Sequence, residues 1–378
     1  KGGIDSISRP ACRHASLAHM RIVELIDSAS LGGAEENTAL TARELARLGH
    51  EVLLISPEGP FTDRFDALAG VQTRRLPVRG PLAAARQELR KALGTFAPRL
   101  VHSHMLRADA LLAMQGARAP YLRFSTIHNM FDREVPQPAR RLAYRALALW
   151  SYRRFDAVLP VSEYVREYAR HYLRVRRARM RVVPNGIDAE EFRRRAADDL
   201  AVPASAAKVI LSVGRLDHNK GQELVLRAAA RLERGALEVW LAGVGPCEAS
   251  LRALAADLEL PCRLLGRRDD VPALMQRADL VVQASRWEAL PNTVLEALAL
   301  ARPVVATRTS GIVEVVQAGQ TGWLTEVDDV EGLCVAMREA LDDPQEGARR
   351  GESGRRLVDQ SFTIQSAVAS LLAHPLLR

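Results

Sequence analysis

"SRWEALPNTVLEALALARPVVAT", residues 285–307, carries two glutamates, Glu288 and Glu296, with Pro291, Asn292 and Thr293 between them. It begins on the end of one apolar run, "DLVVQAS" 279–285, and closes on another, "PVVAT" 303–307. Short apolar runs of this length read as buried strands. A helical pattern joins them, and Pro291 suits the first turn of a helix. Strand, loop, helix and strand in that order form a βαβ unit, which implies a parallel sheet.

The same rhythm extends in both directions. The first half offers "RIVELI" 21–26, a helix pattern "AEENTALTARELARLG" 34–49, "EVLLIS" 51–56, a second helix pattern at 82–96, "RLVHSH" 99–104, "YLRFSTIH" 121–128 and "DAVLPVS" 156–162. The second half offers "KVILSVG" 208–214, "LEVWLAG" 237–243, "CRLLG" 262–266, the two runs above and "GWLTE" 322–326. Two sets of alternating strands and helices predict an α/β protein of two doubly wound, Rossmann-like domains, and 378 residues exceed one ordinary core. The boundaries read as an N-terminal domain over 20–183, a linker region over 184–207 rich in Pro, Ala and charge, and a C-terminal domain over 208–361. A last helix over 362–378 is expected to pack back on the N-terminal domain. Residues 1–19 are polar, show no signal-peptide pattern, and are expected to be a disordered extension or an appended remnant.

Composition narrows the function. Hydrophobic residues make up 48%, with no run near the length of a membrane-spanning helix. Cys12, Cys247, Cys262 and Cys334 form no C-x-x-C pair, which argues against a zinc site and fits a reducing cytosol. Net charge is +8, unevenly spread: residues 1–190 hold 30 Lys and Arg against 19 Asp and Glu, a balance of +11, and the remainder carries −3. The first half is therefore expected to meet something anionic. Aromatics at 5% and the lack of a recognisable motif rank nucleic acid low.

In open α/β sheets ligands bind beyond the carboxyl ends of the strands. Gly32 and Gly33 follow the first strand and open a helix, a turn that suits an anionic group. Arg215 and Lys220 flank a turn after "KVILSV" and suit a diphosphate. Taken singly, each is as readily a plain strand–helix turn or a solvated basic loop. "AGVGP" 242–246 lacks the third glycine of a dinucleotide fingerprint, since position 248 is Glu, so a dehydrogenase ranks last. His102 and His104 read as structural; no carboxylate sits at matching spacing, which disfavours a metal. His128, with Asn129 beside it, is the histidine to back. Glu288 and Glu296 can accept hydrogen bonds from substrate hydroxyls and from a ribose, while the intervening helix N-terminus seats phosphate. The E-x7-E spacing alone is weak, because surface glutamates bracketing a helix would look the same.

Taken together, "GGAEEN" 32–37, "STIHN" 125–129, "PVSE" 160–163, "VVPNGID" 182–188, "GRLDHNKG" 214–221, "AGVGP" 242–246, "SRWEALPNTVLEALA" 285–299 and "TSGIVEVV" 309–316 resemble the retaining glycosyltransferases of family four, with the GT-B fold. The resemblance runs from Met20 through nearly the whole chain. It implies a C-terminal domain that binds a nucleotide-diphosphate sugar, UDP- or GDP-linked, and an N-terminal domain that binds a glycan or lipid-linked acceptor in cell-envelope or exopolysaccharide synthesis. Glu288 would contact the donor sugar and Glu296 the ribose. Arg215 and Lys220 would neutralise the diphosphate. Gly32, Gly33 and the backbone of Leu290, Pro291, Asn292 and Thr293 would complete the phosphate seat, with His128 facing the transferred sugar. No Asp-x-Asp pair stands at a strand end, so neither metal nor cofactor is expected. Two departures bear on local turns: Ser310-Gly311 where the family often has Gly-Gly, and Ala301-Arg302 where it often has Cys-Gly or Leu-Gly.

Alternatives keep the fold but change the role: a sugar-nucleotide epimerase, a phosphorylase, or a non-catalytic nucleotide-sugar-binding module. The arginine-rich stretch 139–155 mixes Leu142, Tyr144, Leu147, Leu149, Trp150 and Tyr152 with five arginines. It reads either as a helix with its apolar face in the core or as an interfacial helix on anionic lipid. The expected location is cytoplasmic, with peripheral attachment at the inner face of the membrane.

Overall fold

The computed structural model describes residues 19–377 except 31, 79, 117–118, 131–134, 136, 199–201 and 233–235. The expectation for residues 1–19 therefore falls, but for His19, outside the described residues. Two six-stranded sheets are present, and every strand pair in both is parallel. The first runs β3-β2-β1-β4-β5-β6, from β1 (Arg21–Ile26), β2 (Glu51–Ser56), β3 (Val71–Arg75), β4 (Leu100–His104), β5 (Leu122–Ile127) and β6 (Ala157–Pro160). The second runs β12-β11-β10-β7-β8-β9, from β7 (Lys208–Val213), β8 (Leu237–Ala242), β9 (Cys262–Gly266), β10 (Leu280–Gln283), β11 (Val304–Thr307) and β12 (Trp323–Thr325). Both are doubly wound α/β sheets. Strand order reverses between β1 and β4 and between β7 and β10, which opens a crevice at the carboxyl ends of those strands.

The strands read from the sequence are present, with ends shifted by one or two residues. β3, "VQTRR", is an addition. Its residues are only partly buried, and an edge strand carrying Gln72, Arg74 and Arg75 shows no apolar run. The central strands are apolar because helices cover both faces. Ile22, Val23, Leu25 and Ile26 of β1 are wholly buried, and each contributes about 1.5–3 kcal/mol of transfer free energy.

Two backbone positions bear on the unusual turns. Ser310 (φ 38°) and Ala301 (φ 54°) both occupy the left-handed region, where a Cβ costs about 1–2 kcal/mol. The strained residue before β11 is thus Ala301 itself, and Arg302 instead donates to the carbonyls of Gln276 and Ala278. Gly311 needs its missing side chain for space: a Cβ there would lie 2.0 Å from Ala289 O.

The chain ends on the first half. Helix Ile364–Leu372 packs against helix Gly33–Arg47, the His374 ring meets Phe124 edge-on at 4.7 Å, and Arg181 Nη1 donates to Ala373 O at 3.0 Å. No helix among the described residues is long and apolar enough to cross a membrane.

Candidate functional site

The residues singled out from the sequence converge on the crevice between the two sheets. The loop after β10 carries Glu288, and the helix Asn292–Ala299 starts only at Asn292, with Pro291 as its N-cap rather than in its first turn. Glu288 and Glu296 therefore do not share a helix face: one lies in the loop and the other in the helix. Glu288 is buried, and three donors meet on its Oε1: Lys220 Nζ at 2.6 Å, Ser285 Oγ at 2.8 Å and Gln283 Nε2 at 3.1 Å. That leaves Oε2 for a ligand.

Lys220 is placed by a tight turn after β7. The Asp217 carboxylate accepts from Lys220 N at 3.1 Å and from Arg215 Nε at 2.6 Å, so one acid shapes the whole basic loop. Gly221 (φ 65°) lets the turn press against β10; a Cβ there would lie 2.2 Å from Ala284 O. Arg215 projects outward, its side chain 74% exposed. Asn219 clamps the opposite loop, donating to Trp287 O at 3.1 Å and accepting from Trp287 N at 3.2 Å.

Two helix N-termini face the crevice, and their charges decide which suits an anion. Helix Gly33–Arg47 holds Glu35 and Glu36 in its first turn, which offset its positive end. Helix Asn292–Ala299 has no acid there. The second is the better phosphate seat. The two approach closely: Asn292 Nδ2 donates to Gly33 O at 3.5 Å, and a Cβ on Gly33 would lie 3.4 Å from that nitrogen. Leu290 is buried, and Thr293 partly so.

Glu296 is pushed up to about 7 by burial and then by Glu36 across the crevice, against Arg64 and Arg195. Burial likewise raises Glu36, which pairs with Arg64 at 2.6 Å.

His128 follows β5. Its Nε2 meets His104 Nδ1 at 2.9 Å, and His104 Nε2 donates to Glu24 Oε2 at 2.6 Å. His102 Nδ1 donates to the same carboxylate, while its Nε2 and Thr126 Oγ1 are hydrogen-bonded at 2.7 Å. A carboxylate does therefore stand between His102 and His104, contrary to the sequence reading. It comes from β1, where Glu24 pairs in register with His102, and no local spacing could reveal it. These three residues are close enough to hold a metal ion. The contacts fit hydrogen bonds better: ligands of one tetrahedral ion, each about 2.1 Å from it, stand about 3.4 Å apart, not 2.6 Å.

Asn185, in a motif noted without a role, links the halves. Its Nδ2 donates to Leu290 O at 3.2 Å and to Asn292 Oδ1 at 3.1 Å, and it lies beside His128. Glu314 was likewise missed. Its carboxylate accepts from Glu163 N and Tyr164 N, both at 3.1 Å, and so caps helix Glu163–His171 of the other half.

Comparison with known proteins bears on this geometry. The family described as "Glycosyl transferases group 1" matches residues 200–357, and "Glycosyltransferase Family 4" matches residues 31–191. The chain is 30% identical to glycogen synthase of Mycobacterium tuberculosis over 302 residues, 74% of this chain and 70% of that one. It is 32% identical to a lipopolysaccharide core biosynthesis glycosyltransferase of Rhizobium meliloti over 179 residues, 46% of this chain and 52% of that one. The structure of Anabaena HepE in complex with UDP and glucose superposes with a TM-score of 0.80, at 22% identity over 93% of this chain and 98% of that one.

Proposed function

Since the chain belongs to the family-four glycosyltransferases of GT-B fold, we propose that it transfers a sugar, with retention and without a metal, from a nucleotide-diphosphate sugar to a glycan or lipid-linked acceptor. The observation that carries this reading is the placement of Lys220, Glu288 and the N-terminus of helix Asn292–Ala299 at one switch point, opposite the Gly33 loop, with Arg215 exposed on the Lys220 loop.

The roles follow from charge. The diphosphate gains negative charge as the C1–oxygen bond breaks. Lys220, Arg215 and the N–H groups at Asn292 and Thr293 stabilise that charge, already oriented. Glu288 Oε2 accepts from a hydroxyl of the transferred sugar, and Glu296 accepts from the ribose. His128 faces the sugar from the N-terminal domain. The acceptor oxygen forms its bond to C1 on the face the leaving group departs from, and its proton passes to the departing phosphate oxygen. Gly33 approaches Asn292 across the crevice, and closure of that loop over a bound donor would exclude water.

UDP is the first donor nucleotide to test, because HepE binds it; GDP is the second. An acceptor of the lipopolysaccharide-core type follows the Rhizobium relative. A thermal-shift screen over nucleotide sugars should identify the donor, since a ligand that binds only the folded state raises Tm by mass action. Incubation with that donor and glycan or lipid-linked acceptors should yield a product whose anomeric configuration, read by NMR, matches the donor. Activity should persist in excess EDTA; loss restored by magnesium or manganese would refute the metal-independent chemistry. An inverted product would refute retention. A free epimer or a sugar 1-phosphate would replace transfer with epimerisation or phosphorolysis, and binding with no turnover would make the chain a sensing module.

A further inference from the structure

A file of buried polar groups runs from the core of the first sheet to the crevice, and the transfer chemistry above uses only its last member. Glu24 on β1 is wholly buried, and His102 and His104 on β4 nearly so. A buried ionised carboxylate survives only when paired and hydrogen-bonded. Burial would raise Glu24, yet the His102 and His104 rings outweigh it and hold the carboxyl down at about 2. An ionised carboxylate only accepts. Hence His102 Nδ1 and His104 Nε2 must both carry their protons toward it, at 3.1 Å and 2.6 Å.

That requirement propagates. Burial, with His102 beside it, lowers His104 to about 4, so its imidazole is neutral near pH 7 and has one N–H. With Nε2 protonated, His104 Nδ1 is an acceptor. The 2.9 Å contact to His128 is then a hydrogen bond donated by His128 Nε2. Burial also keeps His128 neutral. The His102 branch ends separately at Thr126 Oγ1, 2.7 Å from His102 Nε2.

The geometry points to Glu24 and His104 as positioning residues that fix His128 in one tautomer, with its proton on Nε2 and a bare acceptor at Nδ1. Asn185 lies beside the ring but gives it no proton, since its two amide hydrogens are committed to Leu290 O and Asn292 Oδ1. The free Nδ1 then selects a ligand that presents a hydroxyl donor. A cavity of about 30 Å³, bordered by His128, Asn37, Thr126, Asn185, His104 and Val368, is large enough for one such group or a water. The ligand preference rests on the placement of His128 in the donor-sugar site; the tautomer itself does not.

Nitrogen-15 NMR of histidine-labelled protein without ligand reads the tautomer directly. The expected spectrum shows His128 protonated at Nε2 and unprotonated at Nδ1, assigned by loss of the signals in His128→Gln. Glu24→Gln places at position 24 a group that both donates and accepts, so the polarity is no longer imposed. The expected result is a mixed tautomer at His128 and a kcat lower by about tenfold or more, with donor Kd within about twofold of the parent. A parent spectrum with the proton on Nδ1, or an unchanged His128 tautomer in folded Glu24→Gln, overturns the proposal. If Glu24→Gln does not fold, the parent spectrum alone decides. Full activity of His128→Gln would instead refute the placement of His128 at the sugar, leaving the tautomer result standing.

Discussion

Lys220 Nζ lies 2.6 Å from Glu288 Oε1, so the cation assigned to the diphosphate and the carboxylate assigned to the sugar hold each other before any ligand arrives. The pair is largely buried, its side chains 25% and 11% exposed. On the proposed roles, donor entry shares Lys220 between a carboxylate and a phosphate, with Ser285 and Gln283 left to hold Glu288 in place.

The two cations of that loop should respond differently to removal. Lys220→Ala strands a buried carboxylate and is expected to cost about 1–3 kcal/mol of stability as well as turnover. Arg215 is mostly exposed, so Arg215→Ala is expected to stay within about 0.5 kcal/mol of the parent while kcat falls about 100-fold. Thermal unfolding and steady-state rates on both variants check this. Parental turnover in Arg215→Ala would remove Arg215 from the diphosphate site.

As the proposed ribose ligand, Glu296 should set a pH dependence for donor binding. Raised from 4.5 to about 7 by burial and then by Glu36, it is half-protonated near neutrality. Only the ionised form accepts from two ribose hydroxyls at once. Donor affinity should therefore rise as pH increases through about 7, and Glu296→Gln should bind more weakly with a flat profile. Calorimetry at pH 6 and pH 8 tests it; parallel pH profiles for the two proteins would count against Glu296 as the ribose ligand.

Asp109 sets a pH dependence for stability. It is wholly buried; burial raises it from 3.8 to about 7, although Ser103 Oγ donates to it at 2.5 Å and Tyr152 OH at 3.1 Å. The folded state thus keeps a proton that the unfolded chain loses above pH 3.8. The contribution of Asp109 to stability falls as pH rises from about 4 to about 7 and is level above that. Asp109→Asn never carries the charge, so its stability relative to the parent should improve between pH 5 and pH 8. Denaturant titrations at both pH values measure the difference, and a constant difference would contradict the buried-proton reading.

The arginine-rich helix Pro138–Tyr152 tests the membrane proposal. It leaves Leu142 66% exposed, with Ala143, Ala146 and Leu147 also exposed, while Arg140 stacks on Tyr144. Arg154, just beyond it, stacks on Trp150. Each base near an anionic surface contributes about 1 kcal/mol, screened by salt. Co-sedimentation should require anionic vesicles, weaken at high salt, and weaken again when Arg140, Arg141, Arg153 and Arg154 become Gln. Equal recovery on neutral vesicles would favour an acceptor that is not membrane-bound.

The fold was legible because parallel strands buried on both faces announce themselves as apolar runs, and the residues after them are the ones a switch point uses. β3 was not legible, since an edge strand needs no such run. Single site residues such as Glu288 and Lys220 were legible as motif members, but their pairing was not, because 68 residues separate them. Glu24 failed for the same reason: register between β1 and β4 places it against His102, and register is a property of the folded sheet. Asn185 and Glu314 lay within recognised motifs, yet their work is to bond backbone groups of the opposite half, which side-chain chemistry alone does not advertise.

The helix Ile364–Leu372 has a consequence for biosynthesis. Ile364, Val368, Leu371, Leu372 and Leu377 share one core with Ile22, Leu45, Leu54 and Phe124 of the first sheet. The opening half of the chain is therefore synthesised long before the residues that seal it. At about 5–20 residues per second, its apolar flank stays uncovered for roughly 10 to 40 seconds. Nascent chains stalled before residue 364 should accordingly engage chaperones through that flank, however complete the first sheet is.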